Sequence, residues 1–211
     1  MLFDLDGTLL DTAPDFVIAV NALRAEEALP PLPASCIRPY VSHGSPAMIR
    51  VAFDSGLEHP DFERRRRRFL DHYAAVLGHA AVLFEGMEAV LRTLDKRGLK
   101  WGIVTNKPGW LTTPLLASLQ LGQRAACVIS GDTTPRAKPH PDPLLAAARD
   151  LGMAPSACLY VGDAERDVEA ARAAGMPVLV ALYGYLAAAD RPEQWGGDGS
   201  IACAQDLLAW L

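Results

Sequence analysis

The sequence predicts an α/β protein that combines a doubly wound, Rossmann-like parallel sheet with an all-helical insertion. From residue 85 onward, short apolar strands alternate with helices, which is typical of a parallel sheet covered by helices on both faces. Residues 13 to 84 show helical spacing and no convincing strand. Polar residues follow the predicted strands, as expected where ligands bind at the carboxyl ends of a parallel sheet.

Composition excludes several classes of function. Half of the 211 residues are hydrophobic, enough for one domain with an insertion or for two small domains. The net charge of −5 argues against nucleic-acid and anionic-membrane partners, and no apolar run is long enough to span a bilayer. No basic leader precedes the first strand, so we expect a cytoplasmic protein. Met1 leaves so little room for this strand that we expect missing upstream residues or a misassigned start.

Cysteine and histidine patterns argue against a zinc or copper site. The four cysteines lie far apart without a C-x-x-C pair, and free thiols are the expectation in a reducing compartment. The five histidines include no i, i+4 pair. Any bound metal should therefore have oxygen ligands.

The first strand ends in two closely spaced carboxylates. Leu2 and Phe3 indicate a buried strand, and Asp4 and Asp6 follow it on a shared face. Carboxylates this close repel unless a cation lies between them or one is protonated, which favours a reactive carboxylate beside a metal. On spacing alone, a plain strand that ends in an Asp-Gly turn is an equally good interpretation.

The insertion is predicted to hold four helices. A proline-rich break at residues 29 to 33 separates the first helix from the second. The four helices cover about residues 13–28, 35–41, 45–53 and 61–77. Five consecutive arginines, 64–68, fan around the last helix, which indicates a solvated face more than an anion site. The polar loop at Ser42, His43 and Gly44 could approach a ligand or simply connect two helices, and Arg50 lies nearby.

The remaining segments alternate regularly between helix and strand. Helices are predicted at 87–96, 112–119, 143–151 and 168–174, with a terminal helix near residue 207. Strands are predicted at 101–104, 127–130, 158–161 and 178–181.

Further polar residues should meet Asp4 and Asp6 at one edge of the sheet. Thr105 and Asn106 follow a strand and can donate to phosphate oxygens, although such a pair is often turn chemistry. Lys138 lies among three prolines that hold the backbone stiff, as suits a cation placed between a carboxylate and a phosphate. Asp163 and Asp167 follow another strand and could face a cation, although Glu165 and Asp167 could instead serve as helix-capping residues.

These four segments resemble the four motifs of the haloacid dehalogenase (HAD) superfamily. Phe3 to Leu9 with Asp11 resembles the first motif, Thr105 the second, Lys138 the third, and Gly162-Asp163 with Asp167 the fourth. The helical insertion is similar to the type 1 cap of subfamily I. The resemblance implies a catalytic core of residues 1–12 and 85–211 and a cap of residues 13–84.

A narrower resemblance is to the phosphoglycolate phosphatase group. It is carried by residues 10–16, by Val104-Thr105-Asn106-Lys107-Pro108 and by Tyr183-Gly184-Tyr185. Within that group, the Leu29-Pro30-Pro31-Leu32 break and Gln194-Trp195-Gly196 resemble the branch that acts on N-acetylmuramic acid 6-phosphate.

The resemblance implies a Mg²⁺-dependent phosphomonoesterase with an aspartyl-phosphate intermediate. Asp4 would be the nucleophile and Asp6 the general acid and base, while Thr105, Asn106 and Lys138 would hold the phosphate. Mg²⁺ would be held by Asp4, Asp6, Asp163 and Asp167, and the cap residues His43, Gly44 and Arg50 would contact the substrate. The expected partner is a small phosphate ester with a carboxylate, either 2-phosphoglycolate or N-acetylmuramic acid 6-phosphate, and the protein would be a monomer or homodimer.

Other functions remain open at this stage. A phosphosugar mutase of the same fold, or a phosphatase for another sugar phosphate, would use the same motifs. A dehalogenase fits poorly because that branch does without the second aspartate, here Asp6. A non-enzymatic binding protein would not need the intact set of acidic and basic groups.

Overall fold

The computed structural model describes residues 1–54 and 58–211 and confirms the predicted α/β fold class. Six parallel strands form one sheet in the order β5-β4-β1-β6-β7-β8. β1 lies between β4 and β6, so the first strand is central rather than an edge. The strands of this sheet are β1 (Leu2–Phe3), β4 (Gly102–Val104), β5 (Cys127–Ile129), β6 (Tyr160–Gly162), β7 (Val178–Ala181) and β8 (Gly199–Ile201).

Helices cover both faces of the sheet and bury one apolar cluster on each. Alternation along β1 sends Leu2 to one face and Phe3 to the other. Phe3 packs in the cluster with residues of the helices α5 (Met87–Lys96) and α6 (Gly109–Ser118). Leu2 packs in the cluster with residues of α7 (Asp142–Leu151) and α8 (Glu165–Ala174). The sheet is therefore doubly wound, and its strand ends stay free for a site.

The chain between the first and second motifs of the core forms a helical unit with its own hydrophobic cluster. Its helices are α1 (Ala13–Glu26), α2 (Ala34–Ile37), a 3-10 helix (Arg38–His43), α3 (Gly44–Phe53) and α4 (Phe62–Val76). Phe16, Phe69 and Tyr73 stack at the centre of this cluster, with Phe16 and Tyr73 ring centroids 4.2 Å apart. We keep the name cap for residues 13–84, and their behaviour as a separate domain stays a prediction.

Three strands were not predicted from the sequence. β2 (Leu10–Asp11) and β3 (Val82–Leu83) pair antiparallel at the two ends of the cap, so the expectation of no strand within residues 13–84 is wrong. β8 (Gly199–Ile201) adds an edge to the main sheet. Strands of two or three residues are too short to show periodicity, and their partners lie far away in sequence. The terminal helix is present as a 3-10 helix (Ala204–Trp210).

None of the described helices is both long enough and apolar enough to cross a bilayer.

Candidate active site

Asp4 lies at the carboxyl end of the central strand with one oxygen fixed. Its backbone N–H donates to the Val161 carbonyl at 2.8 Å, which continues the pairing of β1 with β6. Oδ1 of its carboxylate accepts a hydrogen bond from the Leu5 backbone N–H at 2.7 Å and lies 2.9 Å from Nζ of Lys138. Among the described residues no donor contacts Oδ2, and Asp4 lines a cavity. One carboxylate oxygen of Asp4 is thus held, while the other has no donor among the described residues.

Three buried carboxylates converge beside this oxygen. Asp4, Asp163 and Asp167 each offer a carboxylate oxygen within 4.8 Å of the others. Burial raises the pKa of Asp4 to about 6, against the nearby Lys138 charge. Burial, together with the charges of Asp4 and Asp167, raises the pKa of Asp163 to about 7. Clustered carboxylates that are hard to ionise fit a divalent cation, which would supply the missing positive charge.

Asp163 is held from three directions. Its Oδ1 accepts from the Thr8 hydroxyl at 3.2 Å, and its Oδ2 accepts from the Tyr185 backbone N–H at 2.9 Å. The Ser42 hydroxyl of the cap also donates to Oδ2 at 2.8 Å. Gly7 has a φ of +91°, and a Cβ built there would lie 2.2 Å from Oδ2. The first motif therefore needs glycine at this position because the Asp163 carboxylate occupies the side-chain space.

Lys138 connects two of the carboxylates. Its Nζ lies 2.9 Å from Asp4 Oδ1 and 2.7 Å from Asp167 Oδ1, and it also approaches Tyr160 Oη at 2.8 Å. Burial lowers the pKa of Lys138, but the charges of Asp167 and Asp4 outweigh this and leave the pKa raised. Oδ2 of Asp167 accepts from the Ala164 N–H at 3.0 Å, so both oxygens of Asp167 are engaged. In this arrangement Asp167 holds Lys138, and its role as a metal ligand stays a prediction.

Asn106 lines the cavity, and its side chain also fixes the backbone of Lys138. Its side-chain amide donates to the Lys138 carbonyl at 2.8 Å, and its amide oxygen accepts from the Lys138 N–H at 3.0 Å. The phosphate contact expected of this side chain stays a prediction. Thr105 is buried and lines the cavity, but its hydroxyl accepts from the Lys107 N–H at 3.1 Å.

Asp6 is bound by Lys107, a residue that was assigned no separate role from the sequence. Its Oδ1 accepts from the Thr12 hydroxyl at 2.6 Å and lies 3.0 Å from Nζ of Lys107. The same Nζ donates to Tyr73 Oη of the cap at 2.7 Å and lies over the Phe16 ring. Lys107 therefore joins the proposed acid-base carboxylate to a cap helix. The position of Lys107 directly after Thr105-Asn106 was the feature of the sequence that could have placed it in the site.

The cavity above these groups has a volume of about 480 Å³ and lies between the cap and the core. His43 and Gly44 line it, as expected for the polar loop. Arg50 does not: it lines a separate cavity with Tyr40 and Asp54, which corrects its assignment to the substrate site. Helix α3 turns Arg50 outward because the inward face of the helix is taken by Met48 and Ile49. Desolvation and the nearby Arg166 charge lower the pKa of His43, so its imidazole is neutral at pH 7.

Two arginines of the cavity were missed from the sequence. Arg66 belongs to the five-arginine run, yet it lines the cavity. Arg166 lies in the first turn of α8, where a cation opposes the helix dipole, and its Nε is buried without a hydrogen-bond partner among the described residues. The Arg166 guanidinium also donates to the Ser42 carbonyl. Two features of the sequence could have indicated these residues. Arg166 has an unfavourable position in a first helical turn, and Arg66 lies three and four residues before Phe69 and Leu70 on the same helix.

Comparison with known proteins adds three relatives. The family described as "Haloacid dehalogenase-like hydrolase" matches residues 1–181. The chain is 50% identical to a phosphoglycolate phosphatase of Xanthomonas campestris pv. campestris, over 94% of this chain and 89% of the relative. It is 41% identical to an N-acetylmuramic acid 6-phosphate phosphatase of Pseudomonas aeruginosa, over 99% of this chain and 92% of that relative. A crystal structure of a predicted phosphoglycolate phosphatase from Haemophilus somnus superposes with a TM-score of 0.86 at 27% identity, covering 99% of this chain and 96% of that one.

Proposed function

The chain belongs to the haloacid dehalogenase-like hydrolases and is a phosphatase of that family, and we propose that it hydrolyses a small carboxylate-bearing phosphate ester through an aspartyl phosphate. The names of the relatives offer 2-phosphoglycolate and N-acetylmuramic acid 6-phosphate as candidate substrates. The net charge of −5 is consistent with a small-molecule substrate rather than a nucleic acid.

The observation that carries the proposal is the state of the Asp4 carboxylate. Oδ1 is immobilised by the Leu5 N–H and by Lys138, whereas Oδ2 has no donor among the described residues and Asp4 lines the cavity. A nucleophile needs this combination, because a fixed orientation lowers the entropy cost of attack while the free lone pair reaches the phosphorus. Oδ2 of Asp4 would form the new P–O bond as the bond to the leaving oxygen breaks.

The neighbouring residues have defined tasks in this scheme. Lys138 and Thr105 stabilise the negative charge on the phosphoryl oxygens. Protonated Asp6 donates its proton to the departing alkoxide, and its carboxylate then takes a proton from the water that attacks the aspartyl phosphate. Asn106 acts through Lys138, whose backbone it fixes. Free Asp4 and inorganic phosphate are the products of the second step.

Mg²⁺ is the proposed metal, held by Asp4, the backbone carbonyl of Asp6 and Asp163. When bound, it would withdraw charge from the phosphate and balance the buried carboxylates. The Ser42 hydroxyl lies 3.3 Å from the Asp6 carbonyl oxygen and 2.8 Å from Asp163 Oδ2, so both proposed ligand atoms face one point. Asp167 supports the site through Lys138.

Phosphate release tests the proposal directly. The purified protein is assayed with Mg²⁺ on 2-phosphoglycolate, N-acetylmuramic acid 6-phosphate and p-nitrophenyl phosphate. We expect kcat/KM of at least about 10⁴ M⁻¹s⁻¹ on one of the two carboxylate esters, within the usual range for enzymes on their own substrates. Asp4→Asn serves as the blank because it removes the nucleophile, and it should form no phosphoenzyme. Turnover by Asp4→Asn, or full activity after exhaustive chelation, would contradict the mechanism.

A further inference from the structure

Of the five consecutive arginines 64–68, Arg66 lines the cavity, whereas the other four bind partners within the cap. Arg64 and Arg65 pair with Glu27 at 2.9 and 2.6 Å, and Arg68 pairs with Glu26. Arg67 donates to the Glu63 backbone carbonyl at 3.3 Å. These four therefore have intramolecular partners on the cap surface, and none of them lines the cavity.

Arg66 lies on the inward face of α4. Residues three, four and seven positions later on a helix share its face, and these are Phe69, Leu70 and Tyr73, which line the same cavity. Nε of Arg66 donates to the Ser45 hydroxyl at 3.1 Å. The one carboxylate that contacts Arg66 among the described residues is Glu63, at 3.4 Å and with 66% of its side chain exposed. A solvated pair of this kind contributes little, so the guanidinium remains available to a ligand.

We propose that Arg66 binds a carboxylate carried by a bulky leaving alcohol, and so determines which phosphate esters are hydrolysed. This inference rests on the proposed function of the site. The phosphate belongs at the floor, where Asp4 and Thr105 line the cavity and Lys138 lies 2.9 Å from Asp4, whereas Arg66 contributes from the cap. A guanidinium presents two parallel N–H donors that match the two oxygens of a carboxylate.

The core side of the cavity supports the same chemistry. Arg166 lines this cavity from the core, and its guanidinium also donates to the Ser42 carbonyl of the cap. A second guanidinium at the cavity adds positive charge that favours an anionic ligand. Lys107 cannot take this role because its ammonium is already bound by Asp6 and Tyr73.

The size and walls of the cavity determine the class of alcohol. A volume of about 480 Å³ falls within the roughly 300–1,000 Å³ typical of sites for drug-sized ligands, far more than a two-carbon acid such as glycolate fills. Phe16, Leu70, Trp110 and Leu111 supply apolar surface to the walls of the same cavity. A sugar ring with apolar substituents, bearing the phosphate at one end and the carboxylate at the other, satisfies both the walls and the two charged ends.

A matched pair of substrates isolates the carboxylate. N-acetylmuramic acid 6-phosphate and N-acetylglucosamine 6-phosphate differ only in the lactyl ether that carries the carboxylate. We expect wild-type protein to prefer the first, and Arg66→Ala to lower the ratio of the two kcat/KM values by a factor on the order of ten to a hundred, as for one lost charge-assisted contact. Arg66→Lys keeps the charge but loses the paired donors. Its ratio of the two kcat/KM values should therefore lie between those of the wild type and Arg66→Ala.

Arg67→Ala is the matched control, since it makes the same substitution one residue along the same helix and away from the cavity. It should leave the ratio unchanged. Equal efficiency of the wild type on both sugar phosphates, a preference for 2-phosphoglycolate, or equal losses of Arg66→Ala on both sugar phosphates would overturn the inference while the phosphatase assignment stands. Absence of phosphate release from every ester would instead refute the proposed function.

Discussion

The pKa values of two buried active-site carboxylates and of two carboxylates on the cap surface are shifted in opposite directions. At the active site, burial raises the pKa values of Asp4 to about 6 and of Asp163 to about 7. On the cap surface, hydrogen bonds from arginines lower the pKa values of Glu26 and Glu27. The active site thus concentrates negative charge without enough cations, whereas these two cap carboxylates are balanced by arginines.

The opposite pKa shifts indicate different roles for the active site and the cap surface. A surplus of buried carboxylates costs stability and is useful only where a cation and an anionic phosphate complete the charge balance. Balanced surface pairs maintain the structure of the cap and leave Arg66 as the arginine of the run that faces the cavity. Changes in the core should therefore alter hydrolysis of every substrate, and changes in the cap should alter the choice among substrates.

The largest effect is expected for Asp6→Asn, which tests whether core chemistry is independent of the alcohol. The variant cannot protonate the leaving alkoxide, so kcat on sugar or glycolate phosphates should fall by roughly 10²–10⁴. With p-nitrophenyl phosphate the loss should be clearly smaller, because nitrophenolate leaves without a proton. Steady-state kinetics on both ester types measure this, and equal losses would refute the acid role. Thermal unfolding checks that the variant remains folded, since Asp6 also binds Thr12 and Lys107.

The next largest effect is expected on the free energy of unfolding when either of two buried lysines is replaced. Lys138 lies within the core, and Lys107 lies between the core and the cap. Lys138→Met leaves Asp4 and Asp167 without their cation, and we expect a loss of about 3–5 kcal/mol in the free energy of unfolding, as for other broken buried pairs. Lys107→Met leaves only Asp6, which is 14% exposed, and should cost less. Urea unfolding at one pH measures both variants. An equal or larger loss for Lys107→Met would mean that the cap contact is as important to folding as the core cluster.

A smaller effect is expected from pH acting on the metal-free core. Asp4 and Asp163 have folded-state pKa values above the usual value near 3.8, so the folded chain binds more protons than the unfolded chain between about pH 4 and pH 7. Their contribution to stability is present at low pH and is lost as pH rises through about 6 to 7. Mg²⁺ needs the ionised carboxylates, so it should raise the melting temperature more at pH 8 than at pH 5.5. Calorimetry with and without Mg²⁺ measures this, with Asp163→Asn as the control that should remove most of the dependence.

The smallest effects are expected for the two cap residues first assigned to the substrate. His43 has a lowered pKa, so it supplies no charge at pH 7, and His43→Ala should change KM by less than about threefold. Arg50 lines a different cavity, and Arg50→Ala should leave the KM values unchanged. A tenfold rise in KM for the carboxylate ester in Arg50→Ala would show that the cap closes differently over bound substrate.

The core of the site was predictable because its signals are local. Each polar group of the motifs follows a short apolar strand, and parallel strands bring their carboxyl ends to one edge. Asp4, Lys138 and Asp163 therefore meet as expected, at positions readable from residue type and strand periodicity. The short strands β2, β3 and β8 were missed because two or three residues carry no periodic signal.

Side-chain roles that depend on contact between cap and core were not predictable in the same way. Periodicity gives the face of a helix but not its neighbour, so the distinction between Arg66 and Arg50 required the packing of α3 and α4 over the cavity. The bonds of Asn106 to the Lys138 backbone and of Lys107 to Tyr73 join residues more than 30 positions apart. Residue types and their order were enough for the fold class and the motif residues. Only the tertiary structure decided which donors hold the protein together and which remain free for a ligand, because a hydrogen bond made across the fold removes a donor that the sequence alone shows as available.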